Sequence, residues 1–227
     1  MKIVVTTSDK YLHILPVFCH LFNKYWGEPF EVVGYKAPES LPANASFHSM
    51  GVQGTVNQFS DDLIRYFSQQ NDHFVWLMED TFIRDLVNHE RLKFLYDLAK
   101  EQPRIGRISL SADSIKHYTE TYAIYDDVII CNTPDDSDYR LSTQPAIWNK
   151  NYLLKWLRPD HTPWQFENLK GTLMQTPDSE YFNLALRPAH APIKHNEGVR
   201  KTNLHSYNLE GIYPPVIEEM YKNKILC

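Results

Sequence analysis

Three stretches of this chain combine residue types that could do chemistry. The first is Phe74-Val-Trp-Leu-Met-Glu79-Asp80, an apolar run that ends abruptly in two acids. Open α/β sheets bind ligands beyond the carboxyl ends of their strands, so acids at such an end face a ligand. Paired carboxylates there suit Mg²⁺ or Mn²⁺, which take oxygen ligands and share their shell with substrate phosphates. A solvated turn, or an N-cap for the segment at Thr81, would show the same two residues.

The second stretch is Thr162-Pro163-Trp164-Gln165-Phe166-Glu167. Thr162 can cap a helix, Pro163 suits its first position, and Glu167 falls one turn in. A Trp beside a carboxylate fits sugar recognition: the indole covers the apolar face of a pyranose while the acid takes hydroxyl protons. A helix start with a core Trp and a cap-supporting Glu has the same spelling. The third runs from Arg187 to His205 and holds Arg187, His190, Lys194, His195, Arg200, Lys201 and His205 against one acid, Glu197. This local reversal of charge, with Gly198, could clamp a diphosphate. His190 and His195 could instead supply a metal ligand, and a solvated basic loop is the third option.

The elements that must position these residues read as a βαβ unit first. Lys2 to Thr7 is a short β-branched strand that opens into Thr7-Ser8-Asp9, residues suited to helix capping. Apolar residues then recur at helical spacing from Tyr11 to Trp26 (Leu15, Phe18, Leu21, Phe22, Tyr25), with Pro16 in a first turn or at a kink. Phe30 to Tyr35 is the second strand, so a parallel pair with a right-handed crossover is expected. Residues 36 to 50 read as a loop, and Ser60 to Phe67 as a capped amphipathic helix. Phe74 to Met78 has the unbroken apolarity of a strand covered on both faces. A helix at 88–101, strands at 104–111, 127–132 and 141–149, and helices at 151–157, 163–169 and 215–222 complete the expectation.

Composition narrows the classes further. With 227 residues, 43% hydrophobic and 22% charged, the chain has ordinary globular usage, which excludes disorder or a coiled coil throughout. Only 8 glycines are present, and no GxGxxG, GxxxxGK[ST] or HExxH occurs, against dinucleotide oxidoreductases, P-loop ATPases and zincins. A net charge of −5 lacks the basic footprint of a general nucleic-acid binder. Cys19, Cys131 and Cys227 form no CxxC and read as reduced thiols. No leader-like or membrane-spanning run is apparent, so a soluble cytoplasmic protein is expected.

Taken in order, five motifs resemble one group, the phage and bacterial GT-A-like glycosyltransferase proteins. They are Tyr11…Leu15-Pro16-Val-Phe18…Phe22-Asn-Lys-Tyr25-Trp26, Phe59-Ser60-Asp61-Asp62-Leu63, and Leu77-Met78-Glu79-Asp80. Ser142-Thr-Gln144-Pro-Ala146-Ile-Trp148-Asn149 and Pro163 to Glu167 follow. The resemblance covers about residues 4 to 170. It implies a single α/β domain with a GT-A-like, mixed and mostly parallel central sheet flanked by helices. Residues 1–170 would form the nucleotide-sugar-binding core and 171–227 an irregular C-terminal extension or lid.

It also implies roles. Thr6, Thr7 and Ser8 would contact the donor nucleoside, and Asp80 with Glu79 would hold Mn²⁺ or Mg²⁺ on the diphosphate. Here the sequence has no second aspartate at the spaced position of an Asp-x-Asp element. Lys194 and Arg200 would assist the donor and His195 the metal, a part of the expectation that comes from charge alone. Glu167 would act with Asp80 in catalysis, and Trp164, Trp148 and Gln144 would shape the acceptor or sugar site. The expected activity is glycosyl transfer from a nucleotide-diphosphate sugar to a glycan or other hydroxyl acceptor, in the host cytoplasm if phage-encoded. A glycan- or nucleotide-binding module without turnover is the alternative. Transfer onto modified phage DNA would need the 187–205 patch to carry all phosphate contacts.

Overall fold

The structure is a computed structural model and describes residues 1–111, 120–135, 137, 140–167 and 178–197. Arg200, Lys201, His205, Cys227 and the helix expected at 215–222 lie outside the described residues. In chain order the elements are β1 (Ile3–Thr6), α1 (Leu15–Tyr25), β2 (Phe30–Gly34), β3 (Ala45–Ser49) and α2 (Phe59–Phe67). Next come β4 (His73–Met78), β5 (Thr81–Ile83), α3 (His89–Glu101), β6 (Ile105–Ser109), β7 (Thr121–Tyr125) and β8 (Val128–Asn132). Then follow β9 (Ala146–Asn149), α4 (Lys150–Trp156), α5 (Pro163–Glu167), β10 (Phe182–Leu186) and β11 (His195–Glu197). The chain is α/β, with a mixed central sheet flanked by helices. No helix among the described residues is long and apolar enough to cross a membrane.

The chain folds as two compact units. Of the described residues, unit one takes those of Met1–Ile3, Gly54–Trp76 and Asn88–Ile193; unit two takes Val4–Gln53, Leu77–Val87 and residues 194–197. Unit two contains the expected βαβ: β1 pairs in parallel with β2, from Val4 opposite Glu31 to Thr6 opposite Val33. A 3₁₀ turn over Asp9–Ile14 leads into α1, and Pro16 sits in the first turn of that helix, where its missing N–H costs nothing. The buried face of α1 meets β2 through aromatic rings, Phe22 lying 4.4 Å from Phe30 and Phe18 at 6.0 Å. Inside the segment expected to be a loop, β3 adds in parallel to β2, from Phe30 opposite Ala45 to Gly34 opposite Ser49. Its side chains are half-buried or exposed, so it lacks the apolar run that marks a covered strand.

In unit one the strand order is β4-β9-β6-β10-β8-β7. Only β10 with β6 is parallel here; β4 with β9, β9 with β6, β10 with β8 and β8 with β7 are antiparallel. Strand β10 corrects the expectation of an irregular C-terminal third, since it enters the sheet between β6 and β8. Its second residue is Asn183, which breaks the apolar pattern; the buried side-chain amide donates to the Arg140 carbonyl at 2.7 Å and to the Tyr152 hydroxyl at 3.2 Å. The strand expected at 141–149 is shorter, beginning at Ala146, because Pro145 has no N–H for the ladder. Asn149 caps α4 by accepting from the backbone of Asn151 and Tyr152, and Asn88 caps α3 from Arg91. Ser60 does not cap α2; the helix starts one residue earlier, at Phe59.

The core of unit one is an aromatic cluster: Phe67 stacks on Phe74 at 4.6 Å, and Trp76, Trp148 and Phe166 lie within 6.3 Å of one another. On α4, Tyr152 packs so closely on β6 that a Cβ at Gly106 would stand 2.3 Å from its ring. An anchored ring cannot yield as the tip of a long side chain would. Gly106→Ala is therefore expected to lower stability by roughly 2–3 kcal/mol, the cost of overpacking a filled core. A urea denaturation curve with a lowered midpoint and unchanged slope would report it.

Candidate functional site

Unit two brings the donor-side residues together at the ends of β1 and β4. The backbone N–H of Glu79 donates to the Thr6 carbonyl at 3.2 Å, and the Thr6 hydroxyl lies 3.1 Å from the Met78 sulfur and 3.5 Å from the Leu77 carbonyl. One residue on, the Thr7 N–H donates to the Val33 carbonyl at 2.9 Å. The approach of β1 to β2 is tight enough that a Cβ at Gly34 would stand 2.9 Å from the Thr7 methyl. Ser8 then leads the chain out, half-buried. Asp9 closes the turn, its carboxylate accepting from the Lys36 N–H at 2.9 Å and its own N–H donating to the Gln53 side chain at 2.9 Å. Thr6, Thr7, Ser8, Glu79 and Asp80 thus occupy one edge, the carboxyl ends of their strands, where open α/β sheets take ligands.

The two acids of that edge differ. Glu79 is buried, while Asp80 is half-buried at the turn into β5. His195 sits on β11 opposite Ile83 of the antiparallel partner β5 and is buried. Among the described residues no three His, Cys, Asp or Glu side chains gather as a metal cage. An all-protein site is not what Mg²⁺ or Mn²⁺ requires when a diphosphate supplies oxygens; one or two carboxylates are enough. Asp80, partly open at a strand end, fits that smaller requirement.

Two described residues of the basic segment, Lys194 and His190, have protein partners. The Lys194 ammonium pairs with Asp85 at 2.9 Å, and the Lys194 carbonyl accepts from the Arg84 N–H at 3.0 Å. The hydrogen bond from Lys194 holds the Asp85 carboxyl below the usual carboxylate range, helped by the Leu86 N–H. His190, in unit one, accepts from the Ile129 N–H at 2.9 Å. Of the expected diphosphate clamp, Lys194 is exposed and paired with Asp85, and Arg200 lies outside the described residues.

The acceptor-side residues belong to unit one. Thr162 and Gln165 form a reciprocal capping box, the Thr162 hydroxyl accepting from the Gln165 N–H at 3.2 Å and the Gln165 side chain from the Thr162 N–H at 2.9 Å. Gln165 rather than Glu167 supports the cap. That leaves Glu167 for another partner: its Oε1 accepts from the Thr143 N–H at 2.7 Å and the Thr143 hydroxyl at 2.6 Å. Its Oε2 takes no hydrogen bond from the described residues. Gln144 is half-buried beside this contact, its N–H donating to the Ser142 hydroxyl at 3.1 Å. Trp164 is 60% exposed, free to present its ring. Trp148 is 0% exposed, its ring packed among Trp76, Tyr152 and Phe166 and under the Arg107 guanidinium, so no face remains for a sugar.

Arg107 is the residue the sequence did not mark. It is buried, donates to the Ser142 carbonyl at 3.1 Å, and lies 5.1 Å over the Trp148 ring. Burial pushes its guanidinium down to about 10, against the pull of Tyr152 and Glu167. It therefore remains charged at neutral pH. A lone Arg in a β-branched strand has no spacing that announces this, and only its neighbours from β9 and the Ser142 turn do.

Because Asp85 already holds Lys194, Lys194→Ala should change nucleoside-diphosphate affinity less than about twofold at 0.15 M salt, as for other exposed pairs. The depressed Asp85 carboxyl keeps the pair intact above its own lowered range and releases it only as pH falls through that range. Titration calorimetry of the two proteins would check this, and a tenfold loss would restore Lys194 to the phosphate site.

No protein-family model matches the sequence, and no curated protein does. Among solved structures, the chain is similar to a cytidylyltransferase from Leptospira borgpetersenii serovar Hardjo-bovis, with 14% identity and a TM-score of 0.48. That match covers 99% of this chain and 95% of the other. The chain is also similar to an active-site mutant of LgtC, with 15% identity and a TM-score of 0.39, over 68% of this chain and 59% of that one.

Proposed function

We propose that this protein is a GT-A-like transferase that uses a nucleotide-diphosphate sugar and transfers the sugar to an acceptor hydroxyl. One observation carries the reading: the ends of β1 and β4 meet through the Glu79–Thr6 backbone bond, setting Thr6–Ser8 beside Glu79 and Asp80. Hydroxyls and backbone groups of Thr6, Thr7 and Ser8 suit a nucleoside. Asp80, with Glu79 behind it, suits Mn²⁺ or Mg²⁺ shared with the diphosphate, where the metal would neutralise charge on the leaving group. On the acceptor side, Glu167 offers Oε2 to a hydroxyl while Thr143 holds Oε1, and exposed Trp164 offers a ring to a sugar face, with Gln144 as a polar neighbour.

The experiment is a thermal-shift screen of nucleoside diphosphates and nucleotide sugars with and without Mn²⁺. A ligand that binds only the folded protein stabilises it by about 2.7 kcal/mol at 100 times its dissociation constant. Asp80→Asn is expected to remove the Mn²⁺-dependent part of that shift and leave the melting temperature without ligand unchanged. An Asp80→Asn protein that binds like wild type would return Asp80 to the role of a turn residue. Glu167→Gln keeps donor binding and is expected to slow transfer by about 10²–10⁴-fold, measured as release of nucleoside diphosphate.

A second reading, glycan or nucleotide binding without turnover, draws on one observation. Glu167, the group turnover would use as its base, already has Oε1 engaged by the Thr143 N–H and hydroxyl. Ligand-induced stabilisation with no release of nucleoside diphosphate from any donor would select it.

A further inference from the structure

The Phe59-Ser60-Asp61-Asp62-Leu63 motif supplies none of the donor-side or acceptor-side residues named above. Its start instead holds the loop that launches α5. The Asp61 carboxylate accepts from the Asp160 N–H at 2.8 Å, across 99 residues of sequence, and the Ser60 N–H donates to the His161 carbonyl at 3.3 Å. Asp160 has φ of 61°, a left-handed conformation that a non-glycine residue adopts only when its surroundings impose it. Two residues later the Thr162 cap begins α5, and one turn on Glu167 meets Thr143. A five-residue helix cannot correct an error in its own starting direction, so the aim of Glu167 is set at Asp160.

We propose that Asp61 is a positioning residue for Glu167: by holding the left-handed turn at Asp160, it directs α5 so that the Glu167 carboxylate is seated on Thr143. It touches no substrate, and its effect on transfer rests on the reading of Glu167 given above, whereas its effect on the Thr143 contact does not. The Thr143 N–H, which donates to Glu167 Oε1, is the reporter.

The test compares wild type with Asp61→Ala, Asp61→Asn and the double variant Asp61→Ala, Asp160→Gly, using amide hydrogen exchange by NMR. Asp61→Ala is expected to speed exchange at Thr143 at least tenfold while the β6 and β9 amides keep their protection. Asp61→Asn retains an oxygen acceptor and should exchange like wild type. Asp160→Gly should recover most of the loss in the double variant, because glycine takes the left-handed conformation unaided. Unchanged Thr143 exchange in Asp61→Ala would overturn the proposal. So would a uniform loss of protection through unit one that Asp160→Gly does not repair, since Asp61 would then be only a stability residue. With a nucleotide-sugar substrate, Asp61→Ala should lower kcat and leave the donor KM unchanged. Wild type without turnover, but with the expected exchange pattern, would refute the transferase reading and leave the positioning role standing.

Discussion

Burying the Arg107 guanidinium constrains most of unit one. A charge taken from water costs several kcal/mol unless its surroundings compensate, and Arg107 is only 1% exposed. Three kinds of compensation converge on it: the Ser142 carbonyl, the face of Trp148, and the negative charge of Glu167. Each comes from a different element, so β9, the turn at 142–144 and α5 must all be in place around β6 for the charge to be tolerated. Its Nε and Nη1 have no hydrogen-bond partner among the described residues, which leaves polar capacity at the centre of the unit. Tyr152 adds to this setting: burial raises its hydroxyl, and the Arg140 and Arg107 charges oppose that rise.

Unit two works by different means. Its site edge is built mainly from backbone, with the Thr6 carbonyl receiving Glu79 and the Val33 carbonyl receiving Thr7. Backbone bonds at strand ends place side chains without long, floppy stems, and the close approach at Gly34 leaves little room for the edge to move. Within this unit the Lys194 ammonium pairs with the Asp85 carboxylate at 2.9 Å. Asp80, half-buried at the strand end, is the carboxylate that would hold a divalent cation under the proposed function.

Much of the fold could be read from the chain because its signals are local. β-Branched residues at 3–6, the helical spacing after Pro16, the apolar run at 74–78 and the Thr162-Pro163 start each became the element they announce. The signals failed where burial did not follow the simple pattern. Strand β3 is half open, and β10 has a buried polar residue, Asn183, whose side-chain N–H groups donate to the Arg140 carbonyl and the Tyr152 hydroxyl. Trp148 looks in sequence like any aromatic near a polar motif, yet the sheet encloses it completely.

What the amino-acid order determined by itself was therefore the βαβ start, the acidic end of β4 and the capped entry to α5, since each depends on neighbours a few residues away. Tertiary structure alone decided which partner each charged or polar group meets. Glu167 finds Thr143 across 24 residues, Asp61 finds Asp160 across 99, and Lys194 finds Asp85 across 109. Such pairings follow from how strands order themselves in a sheet and where a helix begins. Hydrophobic periodicity records which side of an element is buried, but carries no information about what lies on the other side of the contact.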